Sequence, residues 1–110
     1  MNIVLRQTDA NAPQAVHVGD QATVRLRESP TTGYRWQADY DKTRLTLVED
    51  RFEGPDSPRG AGGDRVLVFE AQRSGHTTLK FDKRRDWGDT RPTDTFAIQL
   101  DVKPHESAAH

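Results

Sequence analysis

Apolar side chains in this chain recur at every second position, and that period commits the fold to half-buried strands. Ala22, Val24 and Leu26 alternate with Thr23, Arg25 and Arg27. Thr77, Leu79 and Phe81 alternate with Thr78, Lys80 and Asp82, while Phe96, Ile98, Leu100 and Val102 alternate with Ala97, Gln99 and Asp101. Successive side chains of a strand point to opposite faces, so each run presents one apolar and one polar face. Residues 3–7, 34–38, 45–52 and 65–72 read as further strands. The run Val66-Leu67-Val68-Phe69 is apolar on both faces, the pattern of a more central strand. No stretch sustains helical spacing, and there is no internal repeat.

Turn chemistry fills the gaps: Val18-Gly19-Asp20, Pro30-Thr31-Thr32-Gly33, Tyr40-Asp41-Lys42, residues 54–63, Ser74-Gly75 and residues 86–93. About seven short strands at this spacing predict an all-β fold, an immunoglobulin-like antiparallel β-sandwich. Trp36 falls where such a sandwich buries an indole. The chain has no cysteine, so the fold has no disulfide, and thiolate metal sites and a cysteine nucleophile are excluded. At 110 residues it reads as a single domain over 1–103, with 104–110 a flexible C-terminal tail.

If each strand runs opposite to its predecessor, alternate connections emerge at the same end of the sandwich. The connections 29–33, 54–63 and 85–93 then share one end, and their composition is the least ordinary in the chain. In the first, the ring of Pro30 fixes φ, the β-branched Thr31 and Thr32 are stiff, and Gly33 permits a tight turn before Tyr34. That is a rigid, uncharged tip. The second carries Gly60-Ala61-Gly62-Gly63, which would let main chain approach a partner closely; its bland reading is a loose hairpin connection. The third carries Arg85-Asp86-Trp87, and a tryptophan among charges and glycine is expensive to leave in water. Trp87 reads as an exposed anchor for a partner, against a lid folded over its own core. The triplet Lys83-Arg84-Arg85 reads as a solvated strand end.

With 16 basic and 17 acidic side chains, nothing favours nucleic acid or an anionic membrane as partner. No apolar run is long enough for membrane insertion. The first residues lack the layout of a signal peptide, so the expected location is cytoplasmic, or exported with the signal already removed. No G-x-S-x-G or Ser-x-x-Lys surrounds a serine. His105 and His110 stand five apart, off the spacing of a helical zinc motif, and His17 and His76 lie at turns. Catalytic residues, metal ligands and cofactors are therefore expected to be absent. The chain reads as a binder, and as a monomer. An adhesion or structural module whose loops hold a protein or glycan, or an accessory domain of an enzyme, remain as alternatives on this reading.

In their order and spacing, these residues resemble the chagasin-like inhibitors of papain-family cysteine proteases. Ser29-Pro30-Thr31-Thr32-Gly33-Tyr34 matches that family's Asn-Pro-Thr-Thr-Gly-Tyr in all but its first position. Gly60-Ala61-Gly62-Gly63 matches its Gly-x-Gly-Gly, and Arg85-Asp86-Trp87 is similar to its Arg-Pro-Trp. The resemblance implies an immunoglobulin-like sandwich whose three loops enter a papain-like cysteine protease as a wedge. Pro30, Thr31, Thr32, Gly33 and Tyr34 would lie across the catalytic centre, with Gly60, Ala61, Gly62 and Gly63 on one flank. Arg85, Asp86 and Trp87 would take the other. Ser29 in place of Asn and Asp86 in place of Pro bear on how each loop is braced and which protease is bound.

Overall fold

The computed structural model describes residues 2–28, 34–54, 62–85 and 94–104, with the side chains of Asn11 and Arg85 left aside. Eight strands are present: β1 (Asn2–Arg6), β2 (Gln14–His17), β3 (Gln21–Glu28), β4 (Tyr34–Asp39), β5 (Leu45–Glu53), β6 (Gly63–Ala71), β7 (Gly75–Arg85) and β8 (Asp94–Lys103). They form two four-stranded sheets, ordered β1-β3-β6-β5 and β2-β8-β7-β4. The expected β-sandwich is the observed one.

Two features depart from the expectation. The segment Gln14–His17 is an additional strand, paired in parallel with β8 through Val16↔Val102. Its insertion also makes β1 parallel to β3 (Leu5↔Val24) rather than antiparallel. The remaining pairings are antiparallel, so each sheet is mixed at one edge. A short 3-10 turn (Gln7–Asn11) carries the chain from one sheet to the other. At its start the backbone N–H of Arg6 donates to Asp9 Oδ2 at 2.7 Å.

The alternating runs behave as their pattern demands. Val24, Leu26, Leu79, Phe81, Ile98 and Leu100 are almost completely buried between the sheets. Each such side chain contributes roughly 1.5–3 kcal/mol of transfer free energy. Edge-on and stacked rings make a continuous series through the core, Trp36–Phe96–Phe81–Phe69–Tyr40, with centroids 5.1 to 6.3 Å apart. The doubly apolar run lies on β6, a central strand. Leu67 and Phe69 face the core, and Val66 and Val68 face outward yet are buried.

An ion-pair lattice lies across that outer face, where Arg25 and Arg51 are the register partners of Val66. Arg25 meets Glu53 at 2.6 Å and Asp64 at 3.2 Å, and Arg51 meets Glu49 and Glu53. Long arginine stems lie along apolar surface while their heads stay paired, which keeps water off the valines.

Candidate functional site

The strand registers decide which ends meet. Glu28, the last residue of β3, is opposite Gly63, the first of β6. Glu53, the last of β5, is opposite Asp64. In the other sheet Tyr34 opposes Arg85, and Lys83 opposes Asp94. Contacts between the sheets close the set: the Trp36 backbone N–H donates to Glu28 Oε2 at 3.1 Å, and its indole Nε1 donates to the Arg27 carbonyl at 2.7 Å. The stems of the β3–β4, β5–β6 and β7–β8 connections therefore leave the sandwich at one end.

At that end the inward-facing positions turn from apolar to polar. On β3 the inward series Ala22, Val24, Leu26 closes with Glu28, whose side chain is only 2% exposed. On β6 the series Phe69, Leu67 closes with Arg65, and on β7 the series Leu79, Phe81 closes with Lys83. Arg65 engages Glu28 through two guanidinium nitrogens, Nε to Oε2 at 3.2 Å and Nη2 to Oε1 at 3.0 Å. Its remaining Nη1 reaches Asp50 of β5 at 3.1 Å. Such a fork-on-carboxylate pair fixes geometry as well as charge. Lys83 Nζ stands 5.6 Å from the centroid of the Trp36 ring, a cation over an aromatic face. A cleft of about 130 Å³ opens among Arg27, Glu28, Gly62 and Lys83.

The motif residues fall at this end where they are described. Tyr34 opens β4 and is half-buried; Gly62 lines the cleft; Gly63 opens β6 and is buried. Arg85 ends β7. Pro30, Thr31, Thr32, Gly33, Gly60, Ala61, Asp86 and Trp87 lie outside the described residues. Lys83, Arg84 and Arg85 close β7, the strand end that their place in the sequence suggests. Lys83 is no plain solvated end, being held over an indole.

Gly63 is required by packing: an added Cβ would collide with the Glu53 carbonyl, stand 2.6 Å from Gly54 Cα and 2.8 Å from Phe52 Cζ. Glu28 and Arg65 escaped the motif reading altogether. The signal for Glu28 was its phase, one step beyond Leu26 on the inward series.

His17 and His76 serve local structure. The His17 ring faces Asp20, and His76 Nε2 bonds Gln99 at 2.8 Å. Among the described residues no group of three potential ligands gathers as a metal site. The arrangement, a stiff β scaffold presenting adjoining connections at one end, is that of a binding protein.

The comparisons agree with that class. Residues 15–102 match the model of the chagasin family of peptidase inhibitors, I42, and the chain belongs to that family of inhibitors rather than to any enzyme class. It is 26% identical over 87 residues to amoebiasin-2 of Entamoeba histolytica, covering 76% of this chain and 71% of that protein. The fold is similar to the crystal structure of EhICP2, a cysteine protease inhibitor from Entamoeba histolytica. That superposition has a TM-score of 0.83 at 22% identity, over 94% of this chain and 97% of the other. PbICP-C, solved in complex with falcipain-2, superposes with a TM-score of 0.64 at 14% identity, covering 94% and 90%.

Proposed function

We propose that this protein is a reversible inhibitor of papain-family cysteine proteases that fills the active-site cleft with its three adjoining connections. Residues Pro30–Gly33 would cross the catalytic centre, Gly60–Gly63 would line one flank, and Trp87 with Arg85 would pack on the other. The observation that carries this reading is the convergence of stems, Glu28 against Gly63 and Tyr34 against Arg85, with Trp36 bonded to Glu28 between the sheets. Family membership and the inhibitors it resembles support the same target class.

No bond to the protease is required. Substrate is excluded by occupancy, and a connection held at both stems loses less entropy on binding than a free one. A stable interface of this kind buries about 1,600 Å² in total, which is the scale that occlusion of the cleft would have to reach. Titration of active papain with the purified chain tests the proposal. Stoichiometric, reversible loss of activity is expected; full activity at micromolar excess overturns it.

A further inference from the structure

The pair Glu28–Arg65 occupies positions where the core would ordinarily continue. Leu26 and Leu67 precede them on the same inward series, so an apolar solution was available one step away. Burying a carboxylate and a guanidinium carries a desolvation cost that well-packed apolar side chains avoid. The pair therefore adds little to stability over that alternative. What it does add is connectivity. The carboxylate of β3 holds the backbone N–H of Trp36 on β4, so it ties the two stems of the β3–β4 connection. The guanidinium of β6 holds Asp50 of β5, so it ties the two stems of the β5–β6 connection. The fork between them joins the two ties.

We propose that Glu28 is a positioning residue for inhibition: through Arg65 it couples the first and second connections, so that the two are presented to the protease in one fixed relation. This rests on the function proposed above. The Trp36 N–H supplies direction, because it fixes one oxygen of the carboxylate while Arg65 takes both. A change on either side of the fork then alters the exit of two connections, where a core truncation at the far end lowers stability without bearing on those exits.

The test compares Glu28→Gln and Arg65→Met with Val102→Ala, a core truncation at the opposite end beside Val16 and Gly75. All are measured at a temperature where thermal melts show each fully folded. Two readouts are taken: backbone amide shifts and exchange by NMR, and the inhibition constant toward papain. The expected result for both test variants is faster exchange at Trp36, shifted amides at residues 31–34 and also at 60–62, and inhibition at least tenfold weaker. Val102→Ala is expected to lose melting temperature without either change. The proposal is overturned if amide changes stay at the substituted residue and Trp36, or if inhibition by both variants remains within twofold of the parent. If the parent itself does not inhibit papain, the proposed function falls. The amide readout then decides the coupling alone, changes at both connections supporting it and changes at one refuting it.

Discussion

The indole N–H of Trp36 donates to the carbonyl of Arg27 at 2.7 Å, while the backbone N–H of the same residue is taken by the neighbouring Glu28. One residue of β4 is thus pinned by its main chain and its side chain to the last two residues of β3. The connection between those strands begins and ends on this clamp. It also explains how a buried indole meets its polar requirement at the boundary of the core.

Replacing Trp36 by Phe keeps an aromatic ring near Phe96 but leaves the Arg27 carbonyl without its donor. That bond is part-buried, and losing an acceptor's partner costs up to about 1–3 kcal/mol, the upper figure applying to a fully buried group. Thermal denaturation of Trp36→Phe should therefore show a melting temperature lower by several degrees, with the main-chain tie to Glu28 preserved. An unchanged melting temperature would show that water replaces the indole at no cost.

Gly63 belongs to the motif that resembles a protease-binding element, yet its Cβ position is filled by the backbone of Glu53 and Gly54. Backbone cannot step aside as a flexible side chain does, and overpacking of this kind costs about 1–3 kcal/mol. Gly63→Ala is expected to lower stability in a urea melt at unchanged m-value. Native stability in that variant would mean that the β5 stem yields, and that the glycine is held for another reason.

Acid should loosen the outer lattice. Arg51 first, and Arg25 second, hold the Glu53 carboxyl down from 4.5 to about 2. A carboxyl whose pKa is depressed on folding contributes stability that is present above its unfolded value and lost as pH falls through its folded value. That contribution therefore fades between about pH 4.5 and 2. Hydrogen bonds lower Asp20, Asp41 and Asp82 as well, so the loss is shared. Denaturant melts from pH 5 to 2 should show a shallower decline for Glu53→Gln than for the parent, and the difference should shrink in high salt because these groups are exposed. Parallel declines would remove Glu53 from the lattice's energetics.

On the proposed function, Trp87→Ala should weaken inhibition of papain by roughly 2 kcal/mol or more, as expected of an interface anchor, with little change in melting temperature. Thr31→Ala combined with Thr32→Ala should impair inhibition in the same way. A large loss of thermal stability in Trp87→Ala would instead identify that indole as part of the core.

The strands carrying strict alternation were legible from one face alone, since Val24, Leu79 and Ile98 sit where their period puts them. So was the common end of the three connections, because β3 to β8 do alternate in direction and the unforeseen strand β2 lies before all three. Strand β2 was not legible. Gln14–His17 offers the single buried apolar side chain Val16, and only pairing with β8 makes it a strand. Arg65 was hidden for a related reason: β6 is apolar on both faces, so its inward phase cannot be read along the chain.

Alternation and turn residues by themselves determined that this protein is a sandwich, and the three motifs told which family's inhibitors it resembles, because side-chain period and backbone permissiveness are local properties. Tertiary structure decided what the buried charges do. Glu28 and Arg65 lie far apart along the chain, and only the register of β3 on β6, with β4 folded beneath, turns two ordinary charged residues into the tie between two connections. A carboxylate's role depends on which donors surround it, and those donors come from strands that the chain brings together only on folding.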